Sequence, residues 1–145
     1  MCIEVFYYSK VKVAGRNIKV YKRLLQINPY NLNEFMSPFQ RVLYTLKKPK
    51  LAKKDFTKSV KYFKSKVNSY NKFSTYLGNR EINSWDTIGL SEGLHSYTCE
   101  ETAWLKKCHR EVLCEAIIPK GAKYIKGDFD EVLSNALIVR KVLRR

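Results

Sequence analysis

Residues 47–66 carry nine lysines and a single acidic residue, Asp55. From Phe56 onward the apolar residues recur at helical spacing, which predicts an amphipathic helix over residues 55–76. At 100° per residue, four lysines fall on the side of this helix opposite its apolar stripe: Lys54, Lys58, Lys61 and Lys72. Such a ridge can contact successive phosphates, and binding would then depend on salt rather than on base sequence. The alternative is the solvated face of an ordinary amphipathic helix.

Side chains that could bind a metal or act as a nucleophile are poorly spaced for either chemistry. His95, Cys99, Cys108 and His109 lack the paired Cys-x-x-Cys that positions tetrahedral zinc ligands, so we expect no metal site. Ser96 has no visible histidine and aspartate partners, which argues against a hydrolase triad. Neither a P-loop nor a G-x-G-x-x-G motif is present.

The charge balance is the strongest bulk signal. The 145 residues include 28 Lys and Arg against 13 Asp and Glu, for a formal net charge of +15. This excess attracts phosphates and polyanions; it could equally serve to keep a small protein in solution. The length and the hydrophobic fraction of 45% predict one domain, residues 1–145, with a buried core.

The apolar runs are short, and this bears on location. None approaches the ~20 residues of a membrane-spanning helix, and the N terminus lacks the apolar core of a signal peptide. We therefore expect a cytoplasmic protein with no membrane partner. Its four cysteines are expected to be reduced.

The N-terminal half predicts strands separated by a long loop. Residues 3–13 and 17–27 are rich in strand formers and are expected to pair around a tight turn between them. In the second strand, Ile18 and Val20 alternate with Lys19 and Arg23, which predicts one buried face. Residues 28–39 contain two prolines and three asparagines and are expected to form a loop. A short strand is predicted to follow, ending at Lys47.

The C-terminal half alternates loop, strand and helix signals. Residues 77–93 are expected to form a connecting loop, and residues 94–98 are expected to form a short strand. Thr98-x-x-Glu101 has the spacing of a capping box and predicts a helix over residues 98–108. Val112, Cys114, Ala116 and Ile118 alternate as in a strand, Pro119-Lys120-Gly121 predicts a turn, and the last strand begins at Ala136.

Several of these segments carry a resemblance. The Met-Cys start, Gly93-Leu94-His95-Ser96 and Ile118-Pro119-Lys120-Gly121 resemble a group of small proteins from phages and gut bacteria. The order and spacing of "LHSYT", the following helix, "VLCEAIIPKGAKYI" and "FDEVLSNALIVRKV" are similar to the C-terminal half of the ADP-ribosyltransferase-like fold. Near the N terminus, "VYKRL" looks like the first strand of that fold.

The second resemblance implies roles for particular residues. Lys22 or Arg23 would face the phosphates of an NAD cofactor, and Glu131 would be the catalytic carboxylate. The ligand-binding set implied around them is Tyr21, Lys22, Arg23, His95, Ser96 and Thr98. This chain departs from the family where Tyr21-Lys22 replaces Tyr-Arg and where Phe129 replaces the second acid of many members. Lysine cannot reproduce a bidentate guanidinium contact.

The predicted architecture is an α+β domain with a twisted mixed or antiparallel sheet and two main helices, similar to the ADP-ribosyltransferase-like fold. The leading functional hypothesis is a phage-type binding protein for a phosphate-bearing ligand, nucleotide or nucleic acid, that counteracts a host defence. The competing hypotheses are an NAD-dependent mono-ADP-ribosyltransferase and a virion or assembly protein with protein partners.

Overall fold

The computed structural model describes residues 3–6, 9–38, 40–62, 64–65, 87–90 and 92–145. Most of these residues lie in strands, because Val, Ile, Tyr and Phe alternate with polar residues in many short segments. The strands are β1 (Ile3–Phe6), β2 (Lys12–Val13), β3 (Ile18–Gln26), β4 (Glu34–Met36), β5 (Leu43–Thr45), β6 (Pro49–Leu51), β7 (Thr87–Leu90), β8 (Leu94–Tyr97), β9 (Glu111–Ile118), β10 (Lys123–Lys126), β11 (Glu131–Ser134) and β12 (Ala136–Arg144). The helices are α1 (residues 56–62 and 64–65) and α2 (Glu100–Leu105).

The strands form a large antiparallel sheet and a small one. The large sheet has the order β2-β10-β11-β8-β3-β9-β12-β6; β4 also pairs with β3, and β5 pairs with β4. β1 pairs with β7 in the small sheet. The protein is therefore a mostly antiparallel β-sheet protein with two short helices, in agreement with the predicted antiparallel sheet. None of the helices in the described ranges is long and apolar enough to cross a membrane.

β3 lies at the centre of the large sheet, and its two edges are used differently. On one edge it pairs with β9 along almost its whole length, from Ile18 opposite Ile118 to Leu25 opposite Glu111. On the other edge Tyr21 pairs with Tyr97 of β8, and pairing with β4 begins only at Leu25. The described strands therefore leave a gap along this edge of β3 between β8 and β4.

Hydrophobic residues pack on both faces of the large sheet. The main cluster contains Val20, Leu24, Phe35, Cys114 and Leu137, all fully buried. On the other side, α1 inserts Phe56 and Val60 against the small sheet and β11. A third cluster joins Tyr97, Ala103 of α2 and Leu113 of β9. Helix α2 thus covers the sheet beside the gap.

Three predictions about the strands were wrong in their pairing or extent. The strands on either side of Gly15-Arg16-Asn17 do form, but β1 pairs with β7 and β2 with β10, not with β3. β4 lies in residues 28–39, which were expected to form a loop, and β7 lies in residues 77–93, which were expected to form a connecting loop. Short strands at these positions lack a sequence signal because their partners supply most of the stabilisation.

Predictions about the helices were partly wrong. α2 begins after Cys99 as its N-cap residue and ends at Leu105, so it is shorter than predicted. Thr98 does not form a capping box, because its hydroxyl donates to the backbone oxygen of Asp130, 3.2 Å away. α1 begins at Phe56 beside Asp55, as predicted. The remainder of the predicted helix, with Lys72, lies outside the described residues.

Candidate functional site

The gap between β8 and β4 is a small cavity in the middle of the sheet. Its volume is about 20 Å³, which is room for roughly one water molecule. The lining residues come from β3, the segment after β4 and β8: Lys22, Arg23, Ser37, Pro38, Gln40, His95 and Tyr97. Three residues of the predicted ligand-binding set, Lys22, Arg23 and His95, therefore line one cavity.

Lys22 is buried in this cavity, with 4% of its surface exposed. Its ammonium group donates a hydrogen bond to the backbone oxygen of His95 and lies 5.1 Å from the centre of the Tyr44 ring. Removal from water, and secondly the positive charge of Arg23, lower the pKa of Lys22 from 10.5 to about 7. The amine is therefore close to half-protonated at neutral pH.

Arg23 is buried on the opposite face of β3, contrary to the predicted exposed position. Its guanidinium lies 3.6 Å from the carboxylate of Glu111, donates to the backbone oxygen of Lys106 and lies 5.5 Å from the Tyr97 ring centre. Both cations of the predicted phosphate-facing pair thus already bind groups of the protein. This use of the charges explains how two adjacent basic residues are tolerated in the interior.

Glu131 lies at the first position of β11, directly opposite Tyr97 of β8, and is 9% exposed. Its carboxylate is 3.3 Å from Nε2 of His95 and 4.0 Å from the ammonium of Lys106. Burial is the main cause that lowers the pKa of His95 below its usual value; contact with Glu131 opposes the shift, and the charges of Lys22 and Arg23 add to it. The histidine is therefore neutral at physiological pH, and the Glu131 side chain is buried beside it.

The turn before Glu131 has an unusual backbone. Phe129 and Asp130 both adopt left-handed conformations, with φ of 52° and 61°, which non-glycine residues avoid at a cost of roughly 1–2 kcal/mol each. Contacts with the start of α2 hold this turn. The backbone oxygen of Asp130 accepts from the Thr98 N–H at 2.8 Å, and its carboxylate accepts from the Thr102 hydroxyl at 2.7 Å. Glu131 is consequently held in place by the β8–α2 connection.

The other predicted ligand-binding residues do not line the gap. Tyr21 packs against the third hydrophobic cluster. Ser96 is fully buried, and its hydroxyl has no hydrogen-bond partner within the described ranges. Thr98 supports the turn before Glu131. Gly93, the glycine of the Gly93-Leu94-His95-Ser96 motif, has a φ of +99°. Glycine adopts such a φ without steric cost, so the backbone conformation explains why glycine stands at this position.

Some site residues carried little or no sequence signal. Tyr97 could have been assigned to the same face as His95 because the two are two positions apart in a strand; their rings meet edge-to-face with centres 4.8 Å apart. Lys106, Glu111 and Gln40 reach the site only through tertiary pairing. No local pattern marks them.

A basic groove starts at the edge of the gap and runs to α1. Its three sections overlap: one is lined by Arg41, Lys50 and Lys53, the next by Lys53, Lys54 and Glu92, and the last by Lys54, Lys58 and Tyr62. Gln40 lines both the groove and the gap. We call this feature the basic groove and define it by its cations, which are Arg41, Lys50, Lys53, Lys54 and Lys58.

Among the described residues that line the basic groove, two are acidic, and both have local partners. Glu92 accepts a hydrogen bond from the Ser59 hydroxyl at 2.6 Å and lies 3.8 Å from the Lys54 ammonium. Asp55 accepts from the hydroxyl and the backbone N–H of Thr57. These bonds, the side-chain bond first, lower the pKa of Asp55.

The structure places the four predicted phosphate-contacting lysines differently. Lys54 and Lys58 line the basic groove, and Lys54 is 76% exposed. Lys61 is exposed but is absent from the groove lining. Lys72 lies outside the described residues.

Neither a metal cluster nor a known relative identifies the site. Within the part of the chain that the structure describes, no group of three His, Cys, Asp or Glu side chains could hold a metal ion. Comparison with protein-family models, with curated proteins and with solved structures gives no match.

Proposed function

We propose that the protein binds the phosphate backbone of single-stranded nucleic acid along the basic groove, without reading base sequence. The observation that carries this proposal is a row of three surface recesses that share lining residues and whose described lining includes five cations and two acids. Both acids already have partners of their own. The groove therefore offers a surplus of positive charge along a path rather than at a point.

The end of the basic groove adds a second element of single-strand binding. Tyr62 lines the section beside α1 and is 56% exposed. An exposed aromatic ring next to lysines can stack on a base, which is worth about 1–3 kcal/mol and tolerates any base. A single strand can present both its phosphates and an unstacked base to such a surface. In a duplex the bases are already stacked on one another, so it offers its phosphates but no free base face for Tyr62.

The basic groove fits a phosphate ligand better than the gap does. The gap holds about 20 Å³, and its cations Lys22 and Arg23 already donate to backbone oxygens. A phosphate there would have to displace those bonds. Lys50 is half-buried, and the other groove cations are exposed, so a phosphate can approach them from solvent: Arg41, Lys53, Lys54 and Lys58. In a phage-infected cell, a protein of this kind would cover nucleic acid that a host defence complex handles.

A charge-reversal experiment with a matched control tests the proposal. The variant Lys54→Glu/Lys58→Glu reverses two cations of the groove section beside α1, and Arg140→Glu/Lys141→Glu makes the same change in net charge on exposed positions of β12. Fluorescence anisotropy with a labelled single-stranded oligonucleotide measures affinity at several salt concentrations. We expect the groove variant to lose binding about tenfold or more, equivalent to ~1.4 kcal/mol, and the control to lose clearly less. Equal losses in the two variants would show that net charge alone causes binding and would refute the groove.

A second candidate function, NAD-dependent mono-ADP-ribosyl transfer, is favoured by one observation. Glu131 is buried on β11, and β11 pairs with β8, which pairs with β3, so the carboxylate lies two strands away from Lys22 and Arg23. A glutamate so placed could hydrogen-bond a ribose hydroxyl and stabilise developing positive charge on the sugar.

Labelled NAD incubated with bacterial lysate tests the enzymatic candidate. We expect label transfer by the unmodified protein, loss of transfer in Glu131→Gln, and retention in Glu101→Gln, whose side chain is 69% exposed on α2. Label transfer that is unchanged in Glu131→Gln would exclude a catalytic role for the Glu131 carboxylate. Absence of transfer by the unmodified protein would exclude the activity under these conditions.

A further inference from the structure

A second basic recess lies away from the gap and the basic groove. It is formed by the connection between β2 and β3 together with β10, and its volume is about 710 Å³. That volume falls in the range of about 300–1,000 Å³ typical of small-molecule sites. The lining residues are Gly15, Arg16, Asn17, Ile18, Lys19, Tyr124 and Lys126. We call this feature the β2–β3 recess.

The backbone that forms the β2–β3 recess is anchored on both sides. Two backbone hydrogen bonds join Ala14 to the turn before β10. The N–H of Ala14 donates to the oxygen of Ala122, and the N–H of Gly121 donates to the oxygen of Ala14. The side-chain oxygen of Asn17 accepts from the N–H of Lys120 at 2.9 Å. The recess is therefore formed before any ligand arrives, which lowers the entropy lost on binding.

The floor and the rim of the β2–β3 recess have different chemistry. Ile18 and Tyr124 are half-buried and pack against the main hydrophobic cluster, so they give the floor an apolar and aromatic character. Arg16, Lys19 and Lys126 are exposed and supply three positive charges to the rim. An apolar aromatic floor beneath cations suits a ligand with a flat ring and an anionic group.

Among the described residues that line the recess none is acidic, in contrast to the basic groove. Glu115 lies outside the lining, and its carboxylate oxygen is 3.3 Å from the ammonium of Lys19. Arg16 and Lys126 have no such ion pair in the described part of the chain. These two cations are therefore free to meet a phosphate, while Lys19 shares its charge with Glu115.

From this arrangement we propose that the β2–β3 recess binds a nucleoside monophosphate unit, with the base on Tyr124 and the phosphate against Arg16 and Lys126. The phosphate fits because guanidinium and ammonium groups form strong charge-assisted hydrogen bonds with it. The base fits because an aromatic ring can stack on the tyrosine. Such a unit can be a free nucleotide or the 5′-terminal nucleotide of a strand. The inference does not depend on strand binding in the basic groove.

Isothermal titration at low salt tests the recess with AMP, adenosine and ribose 5-phosphate. We expect AMP to bind more tightly than either fragment, since only AMP uses both the floor and the rim. Arg16→Glu/Lys126→Glu should weaken AMP about tenfold or more, equivalent to ~1.4 kcal/mol. Tyr124→Leu keeps an apolar side chain in the floor and should weaken AMP while leaving ribose 5-phosphate unchanged. Far-UV circular dichroism and thermal unfolding establish that each variant is folded.

Matched variants separate this proposal from net charge and from the basic groove. Arg140→Glu/Lys141→Glu makes the same change in net charge and should leave AMP binding nearly intact. Lys54→Glu/Lys58→Glu should lose oligonucleotide binding but retain AMP binding. Two oligonucleotides, one with a 5′-phosphate and one with a 5′-hydroxyl, are tested as competitors of AMP. Competition by the 5′-phosphate form alone would assign the recess to strand ends. Competition by neither form would assign it to free nucleotides. No AMP binding by the unmodified protein, or equal loss in Arg16→Glu/Lys126→Glu and Arg140→Glu/Lys141→Glu, would overturn the proposal.

Discussion

Replacing Lys22 by methionine tests how a buried amine affects the stability of the fold. Methionine keeps most of the side-chain volume and removes the charge. A pKa of about 7 in place of 10.5 corresponds to on the order of 5 kcal/mol of preference for the neutral amine, at 1.36 kcal/mol for each tenfold change in proton affinity. Lys22→Met also loses the hydrogen bond to the backbone oxygen of His95, worth about 1 kcal/mol. We therefore expect the variant to be more stable than the natural chain below pH 7.

The pH dependence is the sharper part of this prediction. Above pH 7 the folded chain releases the Lys22 proton while the unfolded chain keeps it until about 10.5, so the unfolded state binds more protons and stability rises with pH. Between about pH 7 and about pH 8.5 the free energy of unfolding of the natural chain should gain about 1–2 kcal/mol from this group. Burial raises the pKa of Cys114 to about 12, which lowers stability above the usual thiol pKa. The measurement therefore stops at about pH 8.5.

Urea unfolding followed by circular dichroism, in the presence of a reductant, measures this difference. The natural chain should show the rise and Lys22→Met should not. Lys12→Met, at an exposed position of β2, provides the control and should follow the natural chain. Parallel curves for the natural chain and Lys22→Met would refute the assignment of a lowered pKa to Lys22.

Four further outcomes follow from the geometry. Phe129→Gly should raise the free energy of unfolding by about 0.5–1 kcal/mol, because it relieves a left-handed residue that is 67% exposed; a loss of stability in urea would contradict this. Gly93→Ala should destabilise by about 1–3 kcal/mol, because a Cβ there would lie 2.8 Å from Cγ of Leu133 at a φ of +99°; an unchanged unfolding midpoint would contradict the clash. Phe56→Ala should cost about 3–5 kcal/mol, because the ring is fully buried between α1 and the small sheet; a loss below 1 kcal/mol would show that α1 does not pack there. The five cations of the basic groove predict a slope near −3.5 for log affinity against log salt with a single strand, about −0.7 for each phosphate neutralised; a slope near zero would exclude phosphate contacts as the source of binding.

Local patterns in the sequence were sufficient for the longer strands and for the start of α1. β3, β9 and β12 have alternating or continuous apolar residues over eight or nine positions, and such runs predict strands whatever their partners are. Asp55 marks the start of α1 because a carboxylate can accept from the first free N–H groups of a helix. The exposure of Lys54 and Lys58 also follows from their position opposite the apolar stripe.

Strand pairing and the state of the charged groups depended on the tertiary structure. β1 joins β7 rather than its neighbour in sequence, because register is decided by which apolar faces meet across long stretches of chain. β8 pairs with β3 only through Tyr97 and Tyr21, and β4 pairs with β3 only from Leu25 onward. The gap lies between these two pairings, and Lys22 is buried beside it. A lysine in the sequence is simply a cation. Only the packing around Lys22 removes its water and lowers its pKa, because desolvation depends on residues far away in the chain.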